Sequence, residues 1–255
     1  MGEAVKSADR VLRILELLTS QPEGLTQTEI HIRLGLPKSS THALLATMVA
    51  RGFLEQDPQT RGYRVGIRLW QAGQSYLLAA DLEKSALPYM KALRDEVNET
   101  VQLAVLDGVE NVYIAKVDPD QQLRLASRVG VRLPAHTTGV GKALLSGLSD
   151  DDVRERFRKV EFVRFTPRSL TSLDHLIAEL GETRARGYAQ DNAEHTPGVY
   201  CVAAPIRDAQ GAARAAISVA IPDVRRTPDL IDKITVAVLE KAAALSLRLG
   251  FSSPC

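Results

Sequence analysis

Apolar residues in the first fifty positions recur with helical spacing. Ala8, Val11, Leu12, Leu15 and Leu18 fall at i, i+3, i+4, i+7 and i+10, the stripe of an amphipathic helix, with Ser7 placed to cap it and Asp9 in its first turn. Pro22 and Gly24 interrupt the pattern. Thr26-Gln27-Thr28-Glu29 then has the form of a capping box, and Leu25 and Ile30 have the spacing of a hydrophobic staple, so a short second helix starts here. It runs to about Leu34, where Gly35 offers the left-handed residue that closes a helix and Pro37 the fixed φ that opens the next. The third helix carries Leu44, Leu45, Met48 and Val49 on its buried side, leaving Lys38, Ser39, Ser40, Thr41 and His42 on its exposed first turns. A helix of about eight residues, a three-residue turn with glycine and a helix of about fourteen residues is the spacing of a helix-turn-helix. Two short strand-like pieces, Phe53 to Asp57 and Gly62 to Val65, flank Pro58-Gln59-Thr60-Arg61 and predict a β-hairpin, a wing with Arg61 at its tip and Arg64 on its second strand.

Beyond Gly66 the residues Leu69, Trp70, Gly73, Tyr76, Leu77 and Ala80 make one wide helical stripe that needs a partner. Two readings stay open: this helix pairs with its counterpart in a second chain, or it packs on its own N-terminal domain. From Asp81 the texture changes to α+β. A helix over about 82–97 leads to strands of period two, in which Val101, Leu103 and Val105 alternate with Gln102, Ala104 and Leu106, Asp107-Gly108 turns, and Val112 to Val117 returns. Leu123 to Arg128 extends this meander. Val199 to Ile206 and Ala213 to Ile221 form a second hairpin about Asp208-Ala209-Gln210-Gly211, helices are expected near 139–147, 150–158 and 173–186, and Thr227-Pro228 opens a last helix reaching about Leu249. The expected organisation is 1–66, a DNA-binding domain; 67–80, a connector; and 81–255, a second domain.

Composition narrows the function. With 45% hydrophobic residues and two cysteines in 255 residues, the chain is neither disordered nor a disulfide scaffold. Its apolar stretches are all broken by charge, so neither a signal peptide nor a membrane span is expected, and the cytoplasm is the expected compartment. The net charge of +1 speaks against nucleic acid until it is divided along the chain. Residues 31–68 hold six cations, Arg33, Lys38, Arg51, Arg61, Arg64 and Arg68, against Glu55 and Asp57, whereas 1–30 and the remainder are slightly acidic. A local basic island is what phosphate binding requires, because affinity follows the number of phosphates neutralised. Caps, turn, island and wing together indicate double-stranded DNA, with Thr26, Lys38, Ser39, Ser40, Thr41, His42, Arg61 and Arg64 as candidate contacts.

The second domain offers several chemical readings. Gly139-Val140-Gly141-Lys142 lacks the first glycine and the final hydroxyl of a phosphate loop, since His136 and Ala143 stand there, so nucleotide hydrolysis is not indicated. What remains is a glycine turn whose amides face an anion, or a tight turn with Lys142 in solvent. Asp191, Glu194, His195 and Cys201 cluster without any dedicated motif, which leaves an enzymatic Cys201, or a metal held by His136, His175 or His195, as minor alternatives. No cofactor is implied. Ala216, Ser218 and Ala220 share one strand face whose small side chains leave room for a ligand or let a helix pack closely.

The run Ala8-Asp9-Arg10-Val11-Leu12-Arg13-Ile14-Leu15, then Gly35-Leu36-Pro37-Lys38-Ser39-Ser40-Thr41-His42 and Tyr63-Arg64-Val65-Gly66, resembles the N-terminal domain of the IclR family of bacterial transcriptional regulators. Thr138-Gly139-Val140-Gly141-Lys142-Ala143, Gly187-Tyr188-Ala189-Gln190-Asp191, Glu194-His195, Pro197 to Pro205 and Ala216-Ile217-Ser218-Val219 resemble its effector-binding domain. The resemblance implies a two-domain fold, an α-rich winged helix-turn-helix followed by an α+β GAF-like effector-binding domain. It implies a pseudo-palindromic operator and a homodimer or a dimer of dimers. It also implies that Thr138, Gly139, Val140, Asp191, Cys201 and Ser218 contact a small organic or aromatic acid or derivative. The alternative reading is a DNA-binding protein whose second domain only mediates assembly. Two departures from the family pattern stand out. Ala43 replaces an arginine common before the paired leucines, which removes a long donor from the recognition helix, and Ala220 replaces a second serine, which leans toward a more apolar ligand.

Overall fold

The structure, a computed structural model, describes residues 5–72, 82–122, 125 and 127–251. The chain divides into two compact units, Met1–Asp81 and Leu82–Cys255.

In the first unit, helices α1 (Lys6–Thr19), α2 (Gln27–Leu34) and α3 (Lys38–Ala50) are followed by an antiparallel hairpin of β1 (Leu54–Gln56) and β2 (Tyr63–Val65). Ile14, Leu18, Ile30, Leu45 and Leu54 are buried together, so each helix and the hairpin contribute to one core. The capping box of α2 forms in both directions: Thr26 Oγ1 accepts from the Glu29 amide at 3.4 Å, and Glu29 Oε2 accepts from the Thr26 amide at 2.8 Å. Gly35 closes α2 at φ +64°, a conformation glycine adopts without steric cost, and Leu36 N–H returns to the His31 carbonyl. Two details differ from expectation. Ser7 does not cap α1, which begins at Lys6 after an uncapped Val5. Thr41 is not exposed: it precedes Leu45 and Met48 by four and seven positions, shares their stripe and is buried with them, its hydroxyl donating to the Pro37 carbonyl at 3.0 Å. Residues 67–72 are helical (α4) with Ile67 and Trp70 exposed, while Gly73, Tyr76, Leu77 and Ala80 of the expected connector lie outside the described residues.

The second unit is built on a six-stranded antiparallel sheet of order β5-β4-β3-β8-β7-β6, comprising β3 (Thr100–Asp107), β4 (Glu110–Val117), β5 (Arg132–Pro134), β6 (Ala189–Asn192), β7 (Val199–Arg207) and β8 (Ala213–Pro222). The third strand of the meander is β5 rather than the segment from Leu123. Leu125, Ser127 and Arg128 are not strand, Leu123 and Arg124 lie outside the described residues, and Gly130 at φ +86° turns the chain before it joins the edge of β4. Period-two alternation sorts the central strands into two unlike faces. Val101, Leu103, Val202, Ile206, Ile217, Val219 and Ile221 pack on α5 (Leu82–Val97) and α9 (Pro228–Arg248). The opposite face is Ala104, Cys201, Ala203, Ala216 and Ala220, over which lies the short helix α6 (Gly139–Leu145). Beyond α6, helices α7 (Asp150–Phe157) and α8 (Leu173–Arg186) close a further cluster around Leu145, Val153, Phe157 and Leu176. Among the described residues no helix is long and apolar enough to cross a membrane.

Candidate functional site

In the first unit the polar candidates gather around the start of α3. Lys38, Ser39 and His42 are exposed, and Ser40 is half-buried because Arg10 of α1 donates to its hydroxyl at 3.0 Å. Gln27 of α2 donates to the Lys38 carbonyl at 3.3 Å and its Oε1 lies 3.2 Å from His42 Nδ1, while Arg13 donates to the Leu34 carbonyl at 3.1 Å. The Gln27 contacts fix α3 against α2 by its first turn and the Arg13 bond ties α2 to α1, so the side chains left outward are short and set on a braced backbone. Thr26 is half-buried, and its hydroxyl is occupied by the capping box. In the hairpin turn, Asp57 accepts from the amides of Gln59 and Thr60 at 2.8 and 2.9 Å, bonds that hold its carboxyl below the usual range, and Arg61 follows in the left-handed region at φ +58°. Arg64 is half-exposed and paired with Glu55 across the hairpin at 3.1 Å. Lys38, Ser39, His42 and Arg61 are thus presented to solvent, Ser40 and Arg64 are engaged but reachable, and Thr41 is withdrawn into the core.

In the second unit a cavity of about 340 Å³ opens beside the small-residue face of the sheet, within the size range of small-molecule sites. The space arises because Ala220, Cys201 and Gly139 carry little or no side chain. A Cβ added at Gly139 would stand 3.0 Å from Cys201 Sγ of β7, so the start of α6 sits as near the sheet as glycine permits, and one at Gly141 would stand 2.2 Å from the Ala135 carbonyl oxygen, so the turn that leads into α6 packs just as closely on the helix. Close helix packing and room for a ligand, the two readings of the small face, are both realised: Ala203 and Ala216 lie in the cluster with Val140 and Ala143, and Ala220 lines the cavity.

Four of the six predicted effector contacts line this cavity: Thr138, Gly139, Asp191 and Cys201. Val140 is turned into the cluster beneath α6, and Ser218 is fully buried between Gln102 and Ala203 in the sheet, on the right face but behind the wall. Thr138 is committed to structure, its hydroxyl accepting from the Gly141 amide at 3.1 Å and donating to Asn111 Oδ1 at 2.6 Å. Val199, within the matched segment Pro197 to Pro205, also lines the cavity, as do Gln102, Tyr113 and Leu133, which no motif marks. Gln102 carries the one accessible signal, as an amide interrupting an apolar central strand whose neighbour in register is Ser218.

The cavity's carboxyl group belongs to a buried charge network. Asp191 Oδ1 accepts from the Glu194 amide at 2.7 Å, and burial raises the Asp191 pKa to about 7. Lys142 is not in solvent, being only 1% exposed, with Nζ 2.6 Å from Glu194 Oε1 and 3.5 Å from Glu179 Oε1, and Arg186 bonds Glu179 at 2.7 Å. Burial pushes Glu194 upward as well, opposed by Lys142. The Cys201 thiol is driven far up by burial, with the Asp191 charge adding to the effect. Among the described residues no group of three or more His, Cys, Asp and Glu is arranged to hold a metal. His136 packs on Phe157 and Phe162 with its pKa lowered to about 4 by burial, His175 is exposed on α8, and His195 stacks on Phe165, so the three are not gathered.

Residues 7–58 match the model of the IclR helix-turn-helix domain and residues 74–247 that of the bacterial transcriptional regulator IclR C-terminal domain. The HTH-type transcriptional regulator BhcR of Paracoccus denitrificans is 36% identical over 246 residues, 96% of this chain and 88% of that protein. The crystal structure of an IclR-type transcriptional regulator from Alicyclobacillus acidocaldarius superposes with a TM-score of 0.84 at 27% identity, over 96% of this chain and 99% of that one. That of an IclR homologue from Microbacterium hydrocarbonoxydans, complexed with 4-hydroxybenzoate, gives 0.82 at 27% identity over 94% and 99%.

Proposed function

The chain belongs to the IclR family of bacterial transcriptional regulators, and from that membership we propose how its parts divide the work. It is a DNA-binding regulator with a helix-turn-helix domain and a C-terminal domain that takes a small-molecule effector. In our reading residues 1–66 bind the operator, 67–80 pair two chains, and 81–255 sense the effector. Lys38, Ser39, Ser40 and His42 enter the major groove, Arg61 and Arg64 of the wing reach backbone phosphates, and Thr26 acts at one remove by holding the start of α2. Thr41 is reassigned to packing.

The observation that carries the sensing role is the cavity beside Asp191, built from residues that also match the family's effector domain. Asp191, Cys201 and the Gly139 backbone face the effector, joined by Gln102, with Ser218 shaping the wall from behind. The class we favour is a small organic or aromatic acid or derivative, supported by the 4-hydroxybenzoate held by a homologue of the same fold. Regulation requires that this ligand bind two arrangements of the protein with different affinity. We read the protein as a homodimer or dimer of dimers on a pseudo-palindromic operator, working in the cytoplasm where its DNA is. It is not an enzyme in this reading: the relatives are regulators, and a thiol held neutral by burial is a poor nucleophile.

Titration of a fluorescent fragment of the gene's own upstream DNA tests the first half. Binding that weakens with salt and is abolished in Ser39→Asp supports the placement of α3, and unchanged affinity in that variant overturns it. A thermal-shift panel of organic and aromatic acids and their derivatives tests the second half. The expected result is a hit whose shift falls in Asp191→Ala and which changes operator affinity; a hit indifferent to that variant removes the cavity from the reading.

A further inference from the structure

A row of side chains crosses the cavity face of the sheet, where register sets Ala203 of β7, Ser218 of β8, Gln102 of β3 and Lys116 of β4 side by side. Gln102 is only 5% exposed and lines the cavity, yet among the described residues its side-chain amide has no hydrogen-bond partner. The Ser127 hydroxyl, in the wall of the same cavity, is buried without a partner as well. Buried polar groups are as a rule bonded, and two bare ones facing one space mark where a ligand group completes them. Resting on the proposed function, in which this cavity is the effector site, we propose that Gln102 and Ser127 form a second recognition pole, which reads a hydroxyl at the end of the effector remote from Asp191, Cys201 and the Gly139 backbone.

The two poles lie far apart. In the sheet order β3-β8-β7-β6, two strands separate Gln102 from Asp191. At the usual strand spacing their backbones stand roughly 14 Å apart. One small polar head does not meet both, so the occupant carries two, joined by a body suited to walls of Tyr113, Leu125, Leu133 and Val199. An acid group is at home at the first pole, where the Gly139 backbone borders the cavity and the Lys142 charge acts on Asp191. The second pole has no charge to spare. Lys116, its side chain 13% exposed, donates to the Leu125 and Ser127 carbonyls at 2.9 and 3.0 Å and pairs with Asp118 at 2.7 Å. Those bonds pin Leu125 and Ser127 against the cavity and match the ammonium with a carboxylate. What remains to face a ligand is an amide and a hydroxyl, each able to give and to accept a hydrogen bond. A ligand hydroxyl works in both directions too, donating to Gln102 Oε1 and accepting from Ser127, or the reverse. A second carboxylate would accept only, beside a cation that is already neutralised.

Four matched pairs of acids, alike except for a distal hydroxyl and graded in length, test this by calorimetric titration of the full chain. They are benzoate with 4-hydroxybenzoate, phenylacetate with 4-hydroxyphenylacetate, 3-phenylpropionate with 3-(4-hydroxyphenyl)propionate, and hexanoate with 6-hydroxyhexanoate. In at least one pair the hydroxylated member is expected to bind at least about tenfold tighter than its partner, a modest preference for a site that bonds a hydroxyl. Gln102→Leu keeps the volume and the strand but removes the amide. It should cancel that preference while leaving the affinity of the unhydroxylated acid within about threefold, a split that general damage to the cavity would not produce. Ser127→Ala, outside the sheet, should reduce the preference by a smaller factor, and it carries the test if circular dichroism shows that Gln102→Leu does not fold. Equal binding within every pair, a preference that survives both variants, or binding by no member of any pair overturns the proposal. Operator binding is followed in parallel. An acid that binds without regard to the hydroxyl and changes operator affinity defeats this inference and leaves the sensing role standing, whereas a hydroxy acid that binds through Gln102 and leaves the operator complex untouched defeats the sensing role alone.

Discussion

The recognition surface around α3 and the cavity beside β7 hold their polar groups in opposite ways. At the start of α3 the side chains are short, exposed and few, and what fixes them is backbone geometry: the capping box, the left-handed Gly35 and the Gln27 bridge. In the cavity the key carboxyl is buried, and what fixes it is charge: the Lys142–Glu194 pair and the Glu194 amide. A surface of the first kind is tuned by counting phosphates and is sensitive to salt. One of the second kind is tuned by desolvation and responds to protons. The two units therefore answer to different solution variables, which lets each be perturbed separately.

The largest expected effect breaks the cavity side. Lys142→Met keeps most of the side-chain volume but strands Glu194 in the interior, at a cost of about 3–5 kcal/mol. Chemical denaturation followed by far-ultraviolet circular dichroism should show it as an earlier transition of the second unit, with rescue by the added change Glu194→Gln; a loss under about 1 kcal/mol would mean that water reaches the pair. Next comes Asp191→Asn. The folded-state pKa of Asp191 is raised to about 7, so its protonated form favours the fold below the unfolded value near 3.8, and this stabilisation disappears as pH climbs through 7. At pH 8 the variant should be more stable than the parent by on the order of 1–3 kcal/mol, with the gap closing toward pH 4. A melting temperature at pH 8 no higher than the parent's would refute the assignment.

On the other side the effects are smaller. Thr26→Ala removes the cap of α2 and should cost about 1 kcal/mol, read as an earlier transition of the first unit alone. Lys38→Ala should leave stability within about 0.5 kcal/mol and reduce the slope of log affinity against log salt by about 0.9 for each phosphate no longer neutralised. If that slope stays unchanged, Lys38 lies outside the interface, and the contrast between a salt-tuned and a proton-tuned unit would rest on the wing arginines alone.

The same contrast explains what is legible in the sequence. The recognition surface is local: Thr26 to Glu29, Gly35 and Pro37 act within a few residues, so caps, turn and helix phase can all be read from a line of text. Thr41 reads as exposed because a threonine is polar by type, whereas its phase with Leu45 and Met48 puts it inside. The cavity depends on register between strands far apart in the chain. Gln102 reaches it because β3 pairs with β8, and Ser218 is hidden because the same pairing sets it between Gln102 and Ala203. Lys142 reads as a solvent lysine since its partners Glu179 and Glu194 are remote in sequence and nothing in the glycine turn announces them. The two hairpins and the last helix are legible, but the third strand of the meander is displaced to Arg132–Pro134, because the turn at Gly130 decides where the chain meets β4.

The two unlike faces of the central sheet bear on how such a regulator changes over generations. Along β3, β7 and β8, neighbouring positions belong alternately to the packed side against α5 and α9 and to the side that borders the cavity. A substitution at Gln102, Cys201 or Ala220 alters what the cavity admits without disturbing Val101, Val202 or Val219, which sit one residue away and hold the domain together. Taste and integrity are thus inherited on interleaved but independent positions. A lineage is free to drift from one metabolite to another in single steps while the scaffold that carries the signal stays folded.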